Sequence, residues 1–164
     1  MKEVNMNLFG KRVFSILTVV LLAVLAVGCQ GPSKRIYTLN DGEIYAREWI
    51  DVVRENPIAK DENISLTPLF SDENSSHYIL QVNDAEEPHI HERHDLTVIL
   101  KRGEGTLNLR DKVLPMSAGD VAFISRGTPY WFVNDKKGSA AIAYLVFSPA
   151  YDGKSTRPFY LPDL

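Results

Sequence analysis

The 164-residue chain has a single cysteine, Cys29. An internal disulfide is therefore excluded, and so is a zinc or iron–sulfur site built on several thiolates. Positive charge is not in excess either: 18 Lys and Arg stand against 21 Asp and Glu, a formal net charge of −3. The chain thus lacks the basic footprint of a nucleic-acid binder. Its N-terminal uncharged stretch, Val13 to Val27, runs for 15 residues, short of the ~20 that span a bilayer comfortably. Internal repeats and low-complexity tracts are missing. Gly103-Glu104-Gly105 is too short for a phosphate loop, and Ser125 lacks the surroundings of a nucleophile elbow. What remains is ordinary globular composition, 45% hydrophobic and 24% charged, with length for one domain.

The first thirty residues read as an address. Lys2, Lys11 and Arg12 precede the apolar stretch, the layout of a secretory signal. The stretch ends Leu25-Ala26-Val27-Gly28-Cys29, which resembles a bacterial lipobox although Ala26 stands where Leu is commonest. The resemblance implies cleavage after Gly28 and acylation of Cys29. Two or more acyl chains would anchor the protein stably on a membrane. Gln30 after the cysteine, instead of Asp, implies the periplasmic face of the outer membrane if the cell is Gram-negative. The alternative is an uncleaved anchor in which Cys29 is a small buried hydrophobe. Loss of residues 1–28 removes three bases and Glu3, leaving 136 residues and a charge of −5. The organisation expected is a signal peptide over 1–28, a lipidated polar tether over 29–44 and one domain over 45–164.

The domain reads as many short strands. One helix is expected from Ala46 to about Glu55, where Trp49, Val52 and Val53 recur at helical spacing and Asn56-Pro57 ends the pattern. After it, seven β-branched and aromatic runs follow, near His77–Val82, Leu96–Leu100, Thr106–Leu109, Val113–Met116, Val121–Ile124, Tyr130–Val133 and Ala140–Phe147. Gly, Pro and Asp punctuate them. Short strands without alternating helices argue for an all-β sandwich or barrel.

Three of the four histidines fall in Pro88-His89-Ile90-His91-Glu92-Arg93-His94-Asp95. On an extended chain His89 and His91 point to the same side. Two imidazoles aimed at one point, with a carboxylate nearby, can share a divalent metal. The same octapeptide could equally be a solvated charged run.

The surroundings bear on that choice. Cupins carry a first motif of HxH, three or four residues, Glu, about six residues, Gly. This chain has His89-Ile90-His91, three residues, Asp95, seven residues, Gly103. Their second motif is G, five residues, P-x-G, two residues, H, three residues, N. Here Gly119-Asp120 opens it, Ser125-Arg126-Gly127-Thr128-Pro129 turns it, and Tyr130 and Asn134 close it. Over roughly residues 45 to 160 the chain therefore resembles a small single-domain cupin. The resemblance implies an all-β double-stranded β-helix (a jelly-roll barrel) with a short N-terminal helix after the signal peptide.

It also implies a divalent metal (Fe, Mn, Ni or Zn) and a small-molecule ligand or substrate, on which dioxygenase- or isomerase-like chemistry would act. A homodimer paired through edge strands is implied as well. The departures are specific: Asp95 replaces the acidic ligand Glu, and Tyr130 replaces the histidine of the second motif. A neutral phenol is a poor ligand for most divalent ions at pH 7. Three arrangements stay open. His89, His91 and Asp95 form a two-histidine, one-carboxylate site; or His94 completes a three-histidine site; or the metal is lost and the pocket binds its ligand by shape and hydrogen bonds. In a catalytic reading, Tyr130 positions a water or a substrate oxygen.

Overall fold

The computed structural model describes residues 34–40 and 42–160. The expected signal segment, Cys29 and the beginning of the tether lie outside the described residues. Among those described, the chain runs β1 (Arg35–Asn40), β2 (Glu43–Glu48), α1 (Trp49–Glu55), β3 (Ile64–Ser71), β4 (Ser76–Val82), β5 (His89–His91), β6 (Asp95–Arg102), β7 (Glu104–Leu109), β8 (Lys112–Ser117), β9 (Val121–Ile124), β10 (Pro129–Asn134), β11 (Ala141–Ser148) and β12 (Thr156–Pro158).

The strands form two five-stranded antiparallel sheets, ordered β12-β5-β10-β7-β8 and β3-β4-β11-β6-β9, with β1 and β2 as a separate hairpin. From β4 onward the chain crosses repeatedly between the sheets, the connectivity of a jelly-roll barrel. This is the expected all-β fold. Period-2 alternation decides which side chains enter the barrel. In β10, Tyr130, Phe132 and Asn134 are buried, while Trp131 and Val133 between them are not. In β11, Ala141, Ala143, Leu145 and Phe147 join the interior cluster with Leu80, Leu96 and Leu107. The opposite face of β11 and β4 is covered too. There Ile142 and Ile79 pack on Val52 and Val53 of α1, with Trp49 and Ile36 alongside. Both faces of β11 are thus largely apolar, whereas the outer face of β4 sets Ile79 between the polar His77 and Gln81.

Asn134 locks the turn after β10. Its amide nitrogen donates to the carbonyls of Asn83 at 2.7 Å and Ser139 at 2.9 Å, and Val82 O lies 3.2 Å away. Gly105 is required by crowding, since a Cβ there would lie 2.2 Å from Val133 O.

Two local expectations are corrected. The tether was expected to extend to residue 44, yet residues 35–40 form β1. The helix begins at Trp49, because Ala46, Arg47 and Glu48 complete β2. A full antiparallel register, Arg35↔Glu48 to Asn40↔Glu43, pairs the two strands along their whole length and outweighs the weak helical pattern of those three residues. β3 was not anticipated. It contains Pro68, where its register with β4 slips, and proline is tolerated because β3 is an edge strand.

Candidate functional site

β5 is only three residues long and is held on both sides. Tyr130 of β10 lies opposite His89, and Thr156 and Pro158 of β12 lie opposite His91 and His89. All of these side chains therefore share one face, and they line a cavity of about 700 Å³. Its other walls include Leu66, Leu80, Leu145, Phe147 and Tyr151. Ile90, between the histidines, faces away and is buried. The end of β5 is pinned by the Gly127 N–H, which donates to His91 O at 2.8 Å. Gly127 sits at φ +76°, a conformation that suits glycine.

The two ring orientations are fixed by hydrogen bonds. His89 Nδ1 lies 2.7 Å from the Glu87 carbonyl. A carbonyl only accepts, so Nδ1 carries the proton and Nε2 of the neutral ring holds a lone pair. His91 Nδ1 is 3.1 Å from the Thr156 hydroxyl. The His91 ring makes edge contacts with Phe147 at 4.9 Å and Tyr151 at 5.4 Å between centroids. The His89 ring is 4.4 Å from that of Tyr130. Desolvation, together with the neighbouring His89 and His94, lowers the His91 pKa from 6.5 to about 3. Burial lowers that of His89 as well. Both rings are neutral at pH 7. Tyr130 is held as a phenol, its pKa raised by burial first and by the nearby Glu86 carboxyl.

Glu86 is a site residue that sequence reasoning missed. It lies in the acidic loop Asp84-Ala85-Glu86-Glu87, which reads as a solvated turn. In the structure this loop continues the edge of β10: Glu86 N donates to Phe132 O at 2.9 Å, and Ala85 bridges to Val133. The Phe132 N–H donates in turn to Glu86 Oε2 at 3.0 Å. Glu86 lines both the cavity and the apolar space beneath it, among Leu100, Leu107 and Met116. The residue as a whole is half-buried, but its carboxyl is desolvated, and its pKa rises from 4.5 to about 7 despite the hydrogen bond. No local signal could have marked it, because the burial comes from pairing with a strand 46 positions later.

Asp95 and His94 do not join His89 and His91 at the cavity. The Asp95 carboxylate is gripped by Arg126, whose Nη2 and Nε donate at 2.7 and 3.1 Å and whose backbone N–H donates at 2.9 Å. These bonds hold its pKa at about 2. His94 is buried, but its Nδ1 donates to Pro149 O at 2.8 Å and its Nε2 meets the Ser155 hydroxyl at 2.5 Å. Ser155 also contacts Asp152 Oδ1 at 2.9 Å. This group clips the segment leading to β12 onto the barrel. The fourth histidine, His77, bonds the Tyr144 hydroxyl.

The donor set therefore does not fit the expected metal. Two imidazoles reach the cavity and a phenol stands opposite them; the anticipated carboxylate and third imidazole are committed elsewhere, and the Glu86 carboxyl, which also borders the cavity, is taken by the Phe132 N–H. Among the described residues no group of three or more His, Cys, Asp or Glu is placed to hold a metal ion.

A closed double-sheet barrel enclosing a pocket of small-molecule size defines the class of this protein. The family model described as "Cupin domain" matches residues 76–147, from β4 to β11. An uncharacterized protein of Aquifex aeolicus strain VF5 is 35% identical over 95 residues, covering 58% of this chain and 77% of the relative. The chain belongs to the cupin family. Solved structures agree in fold. An uncharacterized double-stranded β-helix protein of Klebsiella pneumoniae superposes with TM-score 0.56 at 17% identity, over 66% of this chain and 94% of that one. A Streptomyces nucleoside dehydratase, also solved with uridine, superposes with TM-score 0.54 at 18% identity, over 77% of this chain and 91% of that one.

Proposed function

We propose that this cupin is a lipid-anchored protein of the bacterial envelope, acylated on Cys29, whose barrel takes up a small polar organic molecule and moves protons on it with the chain's own side chains. The observation that carries the reading is one cavity lined both by Glu86, whose carboxyl has a pKa of about 7, and by His89, a neutral imidazole with its Nε2 lone pair free of the backbone. Acid–base groups work best with a pKa near the operating pH. Glu86 can hold or give a proton at pH 7. His89 Nε2 can accept one. Tyr130, kept as a phenol, donates a hydrogen bond to a ligand oxygen, and Phe147 and Tyr151, stacked at 4.8 Å, give an apolar wall for a ring. Removal of one proton and return of another is the chemistry of isomerisation and of dehydration. The nucleoside dehydratase among the structural neighbours supports this class without identifying the substrate.

The test is calorimetry and thermal shift on the full chain treated with EDTA, using uridine and a panel of small sugars and hydroxy acids. A panel member should bind with unchanged affinity after chelation, and Tyr130→Phe should weaken it by up to about tenfold, the loss of one hydrogen bond. Binding that appears only when a divalent ion is restored would overturn the reading.

A further inference from the structure

The β1–β2 hairpin has two unlike faces. Cross-strand partners share a face, so Ile36, Thr38, Tyr45 and Arg47 lie together, and these four border Val52 of α1 and Thr67, Pro68 and Leu69 of β3. The other face carries Tyr37, Leu39, Ile44 and Ala46, with Arg35 paired to Glu48 at its base. Among the described residues nothing covers it: Tyr37 is 66% exposed, Leu39 69% and Ile44 72%. A contiguous apolar face of this kind marks a contact surface.

The chain itself says what it would contact. Arg35 is only six residues after Cys29, and six extended residues reach at most ~20 Å. If Cys29 is acylated, Arg35, where the hairpin begins, is confined to within that distance of the lipid headgroups. Tethering of this length makes a second, weaker contact with the same membrane effectively intramolecular. The chemistry of the face suits the interface: a tyrosine, which is enriched at headgroup level, beside two branched aliphatic side chains. The chain beyond Cys29 is net acidic, and Glu48 stands opposite Arg35 on this face, so the contact rests on the apolar side chains and not on charge.

We propose that the outer face of the β1–β2 hairpin lies in the membrane surface, a second anchor that fixes how the barrel stands on the bilayer. This rests on the acylation of Cys29.

The test uses the full chain, isolated in its acylated form and reconstituted in vesicles of phosphatidylethanolamine and phosphatidylglycerol. Mass spectrometry of the N-terminal peptide reports acylation separately. Acylation occupies the Cys29 thiol, so single nitroxide labels can be placed with Leu39→Cys, Ile44→Cys and, on the opposite sheet, Asp111→Cys. Labels at 39 and 44 should be relaxed severalfold less by an aqueous nickel chelate than the label at 111, and more by oxygen. Leu39→Asp with Ile44→Asp should speed transfer between vesicles about tenfold. Equal nickel access at 39, 44 and 111 in acylated protein overturns the proposal alone. Protection that vanishes on dilution with excess lipid shows a second copy on this face and overturns it as well. An unmodified Cys29 removes the anchoring reading and the proposal with it.

Discussion

Replacing Glu86 with glutamine should stabilise the protein at alkaline pH and leave it nearly unchanged in acid. The substitution keeps an oxygen to accept from the Phe132 N–H and removes the titration. In the folded chain the Glu86 pKa is raised from 4.5 to about 7. The folded state therefore holds this proton more tightly than the unfolded chain does. Between about 4.5 and about 7 it binds the greater number of protons, so stability falls as pH rises through that window, and the full cost remains above it. At about 1.4 kcal/mol per unit, the shift amounts to at most about 3.5 kcal/mol. Denaturant unfolding of wild type and Glu86→Gln at pH 4.5, 6 and 8 measures it directly. The variant's advantage should be near zero at pH 4.5 and approach about 3.5 kcal/mol at pH 8. His91 titrates in both proteins and cancels from the comparison. An offset independent of pH would show that the Glu86 carboxyl is solvated, and it would remove the acid from the proposed site. Proton transfer should be lost in the variant while ligand binding persists.

The neutral, buried His91 works in the opposite sense. Its folded pKa of about 3 lies below the unfolded 6.5, so stability is lost as pH falls between those values, by up to about 1.4 kcal/mol per unit. His91→Phe should flatten that slope in acid unfolding curves; a slope unchanged by the substitution refutes the assignment. Asn134→Ala leaves the carbonyls of Asn83 and Ser139 without their donor and should cost about 2–4 kcal/mol in thermal or denaturant unfolding. A loss below about 0.5 kcal/mol would mean water replaces the amide.

The barrel was legible because its determinants are local. Alternation in β10 and β11 and the turns around Gly119 and Gly127 set strand, face and bend within a few residues, and the cupin motifs kept them in register. His89, His91 and Tyr130 were legible as a site for the same reason, since neighbouring strands bring them together. Asp95 and His94 show where spacing fails. Asp95 begins β6 and finds Arg126 beyond β9; His94 finds Pro149 and Ser155 near the chain's end. Each side chain follows the partner that satisfies it, and that partner lies 31 to 61 residues away. Glu86 stayed hidden because a short acidic loop looks the same in sequence whether or not a strand is waiting for it. The hairpin was missed because its two strands support each other and neither is persuasive alone.

The pocket's side wall has an unusual origin. β12, three residues near the end of the described chain, contributes Thr156 and Pro158 to the cavity through its pairing with β5, and among the described residues it pairs with no other strand. Ligand preference can therefore drift by exchange at those two positions while the barrel's interior stays fixed. Homologues with the same scaffold and different tails would then be expected to differ in what they accept.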